Sequence, residues 1–175
     1  MDPIQAALNS DEIPWEFVEL KRGDYLIRAG EHEQHLSFVQ EGALRAYTLK
    51  GDEEFTIRFA YTGSIAASIP AYFSDEASDV SIQAIRHSKL LRTHKRHFEA
   101  FMSKTTERLL TYNQLLKELM ATFYEREVDL LTSSPAERLE RVRKRSPQLF
   151  QEVPHKYIAS YLRMSPETLS RMLKS

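Results

Sequence analysis

The chain has 175 residues, with a hydrophobic fraction of 42% and a charged fraction of 28%, a composition ordinary for a soluble globular protein with one large domain or a medium one plus a small one. It contains no cysteine, which excludes disulfides, thiolate zinc sites and all-cysteine iron–sulfur clusters. No long uncharged apolar run could cross a bilayer, and Met1 to Trp15, with Asp2, Asp11 and Glu12, has no basic region followed by an apolar one, so a cytoplasmic chain with no membrane partner and no secretory leader is expected. The net charge of −1 hides an asymmetry. From Pro135 onward Arg138, Arg141, Arg143, Lys144, Arg145, Lys156, Arg163, Arg171 and Lys174 face only Glu137, Glu140, Glu152 and Glu167, a basic end suited to phosphate or to a solvated helix face.

All the glycines lie at or before Gly63, so tight turns are concentrated in the first part of the chain. Between them Leu44 to Leu49, Glu54 to Tyr61 and Val80 to Ile85 alternate with period two, Phe55, Ile57, Phe59 and Tyr61 sharing one face. Lys21 to Gly30 adds two shorter strands. Several short strands at close spacing predict an antiparallel β-barrel over 16–92, after a short N-terminal helical segment.

From Lys95 the period changes. Met102, Leu109, Leu116, Phe123 and Leu130 recur every seven residues, with Tyr112 and Leu119 at the alternate steps, a heptad stripe that predicts one long helix. Leu110, Leu115, Met120, Tyr124 and Leu131 widen it, so the helix is expected to pack on its own barrel and on a second copy, through Leu109, Tyr112, Leu116, Leu119 and Phe123. Packing within one subunit alone is the other reading of so wide a stripe.

Ser134 and Pro135 then start a helix as cap and first turn, and Pro154 and Ser165-Pro166 give two further starts, predicting three short helices in the last forty or so residues. In His155 to Leu173, Ile158 and Leu162 supply an inward face, Ala159 allows a close crossing, and Leu169 and Leu173 anchor the following helix, an arrangement that reads as helix, tight turn, helix. Its second helix leaves Pro166, Glu167, Ser170, Arg171 and Lys174 outward. Arginine can fork onto guanine and glutamate can accept from cytosine, so Glu167 and Arg171 are candidate base readers. Lys156, Ser165 and Thr168 suit phosphate. The expected domains are 1–94 (barrel), 95–134 (dimerisation helix and hinge) and 135–175 (helix-turn-helix).

The run Val153 to Arg171, with Tyr157-Ile158-Ala159-Ser160-Tyr161-Leu162 and Ser165-Pro166-Glu167-Thr168-Leu169-Ser170-Arg171, resembles the helix-turn-helix of the Crp/Fnr superfamily. Phe38 through Gly42-Ala43-Leu44-Arg45 to Gly63-Ser64 resembles its cyclic-nucleotide-binding-type barrel, and the heptad helix occupies the place of its dimerisation helix. The resemblance implies an α+β fold: an antiparallel barrel of double-stranded β-helix or jelly-roll type, a long dimerisation helix and a C-terminal all-α domain. It further implies a homodimeric transcription regulator binding double-stranded DNA, with RNA polymerase as a partner and a small-molecule effector in the barrel that the sequence does not identify. Residues matching Glu167 and Arg171 contact bases in that family, and those matching Ser165 and Thr168 contact the phosphate backbone. The alternative is a sensor of a small ligand or protein that does not touch DNA.

Departures from the family are informative. Its cyclic-AMP-binding members carry a glutamate soon after the glycine at Gly63 and an Arg-Ser pair just before the following strand, whereas here Ser64-Ile65-Ala66-Ala67-Ser68 follows the glycine and Ala77-Ser78-Asp79-Val80-Ser81 precedes the strand, with no arginine from Ser64 to Ser81. A buried cyclic phosphate without a charged partner is costly, so no cofactor is evident and cyclic nucleotide is not expected in the usual mode. The candidate effector pocket rests instead on Ser64, Ser68, Ser78 and Ser81. Arg163 stands where many members have a turn glycine, and Pro166 replaces a base-contacting arginine. His32-Glu33-Gln34-His35 is one residue short of the zinc-protease spacing and falls in a predicted turn, and His94 and His97 are flanked by Lys95 and Arg96 without an evident carboxylate partner, so no metal is expected. No nucleophile motif or phosphate-cradling loop appears, so neither is an enzyme.

Overall fold

A computed structural model describes residues 3–174; the outer domain limits at Met1 and Ser175 lie outside them. A short helix, α1 (Pro3–Leu8), precedes β1 (Glu16–Leu20), β2 (Tyr25–Ile27), β3 (His35–Glu41), β4 (Ala43–Lys50), β5 (Glu53–Tyr61) and β6 (Ile65–Ala66); α2 (Ile69–Phe73), β7 (Ser81–Ala84) and β8 (Ser88–His94) complete the first half. The strands form two four-stranded antiparallel sheets, ordered β1-β8-β3-β6 and β2-β7-β4-β5, the antiparallel barrel expected. Leu20, Val39, Leu44, Ile82 and Leu90 fill its interior, each apolar side chain contributing about 1.5–3 kcal/mol by leaving water.

One strand departs from the alternation read in the sequence. Ala46 pairs with Arg58 but Tyr47 pairs with Thr56, so a bulge opposite β4 leaves Ile57 without a partner and shifts the phase of β5. Thr56 and Ala60 are the buried residues of that strand, while Phe59 and Tyr61 pack half-buried against the C-terminal helices. An outer apolar face is stable here because another layer covers it.

The predicted single helix after the barrel is two, α3 (Lys95–Ser103) and α4 (Thr106–Leu131). The interruption at Lys104-Thr105 is a cap: Thr105 Oγ1 accepts from the Arg108 N–H at 3.2 Å, satisfying one of the free donors of the new helix. Phe98, Phe101 and Met102 of α3 pack with Ala7, Ile13, Leu36 and Tyr72 at the base of the barrel, and Tyr112 and Leu115 of α4 join them. Along α4, about 39 Å long at 1.5 Å per residue, the stripe is divided. Tyr112, Leu116 and Leu119 are half-buried on the barrel side, whereas Leu109 and Phe123 are partly exposed, at 42% and 39%, and Leu110, Met120, Tyr124 and Leu131 are open to solvent.

The last segment holds α5 (Pro135–Arg145), α6 (Leu149–Glu152), α7 (His155–Tyr161) and α8 (Pro166–Lys174), four helices rather than the three expected. The added one, α6, is a single turn too short to leave a periodic signal. Ser134 caps α5 as anticipated, its hydroxyl accepting from Glu137 N–H at 3.3 Å. Leu139, Val142, Leu149, Ile158, Leu162 and Leu169 form the core of this segment, and Ala43 and Ile85 of the barrel belong to the same cluster.

Candidate nucleic-acid interface

The helix-turn-helix is built as its sequence requires. Ala159 and Ile158 are fully buried, and Leu169 seats α8 against them. Met164 N–H returns to Ala159 C=O at 3.1 Å. That reversal places Arg163 at φ +55°, the left-handed region anticipated from the family's turn glycine, at a cost of about 1 kcal/mol. The Arg163 guanidinium lies 4.7 Å from the Phe55 ring centroid, which returns about 0.5–1 kcal/mol. Arg163→Gly should therefore leave stability within about 0.5 kcal/mol of the parent in a urea melt, since relieved strain is offset by the lost stacking and by glycine's greater unfolded-state freedom. A loss above about 1 kcal/mol would mean that the Phe55 contact outweighs the strain.

Pro166, Glu167, Ser170, Arg171 and Lys174 line one open surface of α8, the grouping expected from helical spacing. Ser165 Oγ accepts from Thr168 N–H at 3.1 Å and lies 3.1 Å from Thr168 Oγ1, so these two side chains also cap the helix. The Glu167 carboxyl is held below its usual pKa by its own backbone N–H and then by Ser165. It is therefore ionised and acceptor-only at neutral pH. Lys156 is exposed on α7, its Nζ 4.6 Å from the Tyr157 ring.

The basic surface is smaller than its sequence suggested, because one of its arginines is buried and two are held in ion pairs. Arg138 is 7% exposed and donates to Leu162 C=O at 2.6 Å, Arg163 C=O at 3.4 Å and Thr132 C=O. Arg141 and Arg145 pair with Glu125 and with the fully buried Asp129. Sequence reading missed this network, since its partners are far apart in the chain.

The same holds for the contact between α7 and the barrel. Ser160 Oγ accepts from Thr56 N–H at 3.2 Å, the rings of Phe59 and Tyr161 lie 5.5 Å apart, and the buried Arg45 guanidinium sits 4.2 and 4.5 Å from the rings of Tyr47 and Tyr157. Arg126 donates to Tyr161 C=O at 2.7 Å and covers the same ring at 3.7 Å. These contacts carry the helix-turn-helix on the β4–β5 sheet.

Of the four serines offered as an effector pocket, two border interior spaces and two are hydrogen-bonded to the backbone. Ser68 lines a narrow interior space with His35 and Arg92, and Ser64 borders a larger one beside α4. Ser78 Oγ donates to Val80 C=O at 2.7 Å, and Ser81 Oγ accepts from Ala29 N–H at 3.1 Å. Among the described residues no cluster of histidines and carboxylates could hold a metal ion, and no helix is long and apolar enough to cross a membrane.

The family model for the cyclic nucleotide-binding domain matches residues 17–105. The chain belongs to this family. No curated protein matches it in sequence. As a cyclic nucleotide-binding domain protein, it shares its fold with solved structures well beyond the barrel. A CooA variant from Carboxydothermus hydrogenoformans is 20% identical with a TM-score of 0.75, over 96% of this chain and 81% of that one. FixK2 from Bradyrhizobium japonicum is 16% identical with a TM-score of 0.74, over 93% and 84%. The Thermus thermophilus catabolite activator protein is 20% identical with a TM-score of 0.58, over 98% and 81%. Barrel, long helix and C-terminal helices thus follow the Crp/Fnr fold in order.

Proposed function

We propose that this cyclic nucleotide-binding domain protein is a cytoplasmic transcription regulator that binds double-stranded DNA as a homodimer. The observation that carries the reading is the α8 surface: four polar side chains, Glu167, Ser170, Arg171 and Lys174, are gathered beside Pro166 on the open face of a capped helix, where recognition helices meet the major groove. Dimerisation is supported by the solvent-facing apolar residues of α4, with Leu110 65%, Met120 71% and Leu131 78% exposed, side chains that a second copy would cover. In this reading residues 1–94 sense an effector, 95–134 join two copies and 135–175 read DNA. Two recognition helices about 34 Å apart would fit successive major grooves of a palindrome.

Selection from random duplex DNA at two salt concentrations tests this directly. Palindromic half-sites one helical turn apart are the expected result, with retention falling steeply as salt rises. No enrichment at either salt would overturn it in favour of a sensor that does not touch DNA. Arg171→Ala should relax preference at one base pair per half-site and cost about 1–3 kcal/mol of binding, measured by fluorescence anisotropy on operator variants. Lys156→Ala should instead weaken all sequences alike and flatten the salt slope. Equal behaviour of the two would overturn this division of roles.

A further inference from the structure

Away from the barrel, α4 carries a second seven-residue pattern. Asn113, Met120 and Glu127 are all exposed and share one line along the helix, which at about 100° per residue drifts by only about 20° per heptad. Tyr112 and Leu119, each one residue earlier, are turned about 100° from that line and lie on the barrel side. Leu109, Leu116, Phe123 and Leu130 flank the line toward the barrel, and Leu110, Lys117, Tyr124 and Leu131 flank it on the other side. Most of the large hydrophobic side chains that the described residues expose belong to this face. Packing within one chain gives no reason for an exposed heptad repeat, whereas a second α4 laid alongside matches it step for step, since a repeat of about 3.5 residues is the seam of two supercoiled helices. The midline of that seam is polar at Asn113 and Glu127 and apolar only at Met120. Among the described residues neither the Asn113 amide nor the Glu127 carboxyl has a side-chain hydrogen bond or ion pair within the chain, so inside a seam each depends on the other copy.

We propose that Asn113 and Glu127 set how two copies pair through α4: Asn113 fixes the register of the seam, and Glu127 keeps its C-terminal end from closing tightly. This rests on the homodimeric reading above and names the residues that specify its interface. Two α8 helices that meet one duplex require α4 helices running parallel about a two-fold axis, and each midline residue then faces its own counterpart. A primary amide donates and accepts at once, so two Asn113 side chains satisfy each other when the helices are in register. A slip by one heptad sets Asn113 against Met120 and leaves the amide unpaired in an apolar layer. Two Glu127 carboxylates can only accept, and they repel. Cations of the same chain near that end of α4 are engaged: Arg126 donates to Tyr161 C=O, and Arg141 and Arg145 are paired with Glu125 and Asp129. Glu127 stands about one turn before α4 ends at Leu131, so the weak end of the seam is the one that leads into the helix-turn-helix segment. An antiparallel pair would differ. Asn113 and Glu127 lie equally far from Met120, and each Asn113 would then meet the partner's Glu127.

The chain has no cysteine, so single cysteines report the pairing directly. Met120→Cys should form a disulfide-linked dimer on mild oxidation, and Asn113→Cys should do so as well, since only the parallel register brings both pairs of opposed positions within disulfide reach. A covalent dimer from Met120→Cys without one from Asn113→Cys means an antiparallel pair and overturns the proposal. In sedimentation equilibrium of the full chain, Asn113→Leu should tighten association about tenfold and admit assemblies larger than a dimer. Glu127→Gln should tighten it severalfold at low salt, and the gain should shrink at about 1 M salt, where the charges are screened. Parental affinity and assembly in Asn113→Leu, or a Glu127→Gln chain that associates like the parent at low salt, would each overturn it. Both side chains are exposed in the single chain, so the variants fold without repacking a core. A parent that stays monomeric at every concentration removes the homodimeric reading itself, whereas a dimer whose cysteines do not link removes only the pairing through this face.

Discussion

Gly42→Ala should cost about 2–6 kcal/mol, the largest effect expected of a single methyl group in this chain. Gly42 joins β3 to β4 at φ +100°, a conformation that itself costs a side-chain-bearing residue about 1–3 kcal/mol. A Cβ there would lie 2.4 Å from His87 C=O and Ser88 Oγ and 2.7 Å from Ser88 Cα. Two of those atoms are backbone and the third belongs to a fully buried side chain that accepts from Ala43 N–H at 3.2 Å. Nothing nearby is a flexible tip. Displacing backbone adds about 1–3 kcal/mol, against a total stability of about 5–15 kcal/mol. Urea unfolding followed by circular dichroism should show the midpoint fall sharply with its slope unchanged. A loss below about 0.5 kcal/mol would mean that the β7–β8 turn relaxes freely.

Asp129→Ala should cost about 2–4 kcal/mol and loosen the helix-turn-helix from α4. The fully buried carboxylate accepts from Arg141 Nε at 3.0 Å and Arg145 Nη2 at 2.5 Å, tying the last turns of α4 to α5 across the Thr132–Ser134 connection. Removing one partner of a buried pair costs about 3–5 kcal/mol. The lower figure applies because both arginine side chains are about a third exposed or less and keep Glu125 at 2.9 and 3.4 Å, where solvent screens part of the loss. Two measurements check it. Urea unfolding should register the destabilisation, and, if the proposed dimeric DNA-binding reading holds, duplex selection should return half-sites of less uniform spacing, since the two α8 helices would no longer be held at one distance. Unchanged stability would mean that Glu125 and water replace Asp129 completely.

Local chemistry was legible in the chain. The α8 surface followed from 3.6-residue spacing and the Ser165-Pro166 start, and the left-handed turn at Arg163 from comparison with a family glycine. The Ser134 cap and the strands β2, β4, β5 and β7 were likewise local signals, because turns, caps and periodicity act over a few residues, although Lys21 to Gly30 holds one strand rather than the two expected. Lys104-Thr105 was the exception: a cap signal stood in the sequence, but the heptad repeat ran across it and suggested one helix.

What the sequence left open depended on partners distant in the chain. Arg138, Arg141 and Arg145 counted toward a basic end suited to phosphate or to a solvated helix face, and only the fold showed them paired with Leu162 C=O, Asp129 and Glu125. The phase of β5 turned on a bulge and on a covering layer of helices, neither of which alternation encodes. Whether a charge is free to meet a ligand depends on its burial and its partners, and those are properties of the packed molecule rather than of any window of sequence.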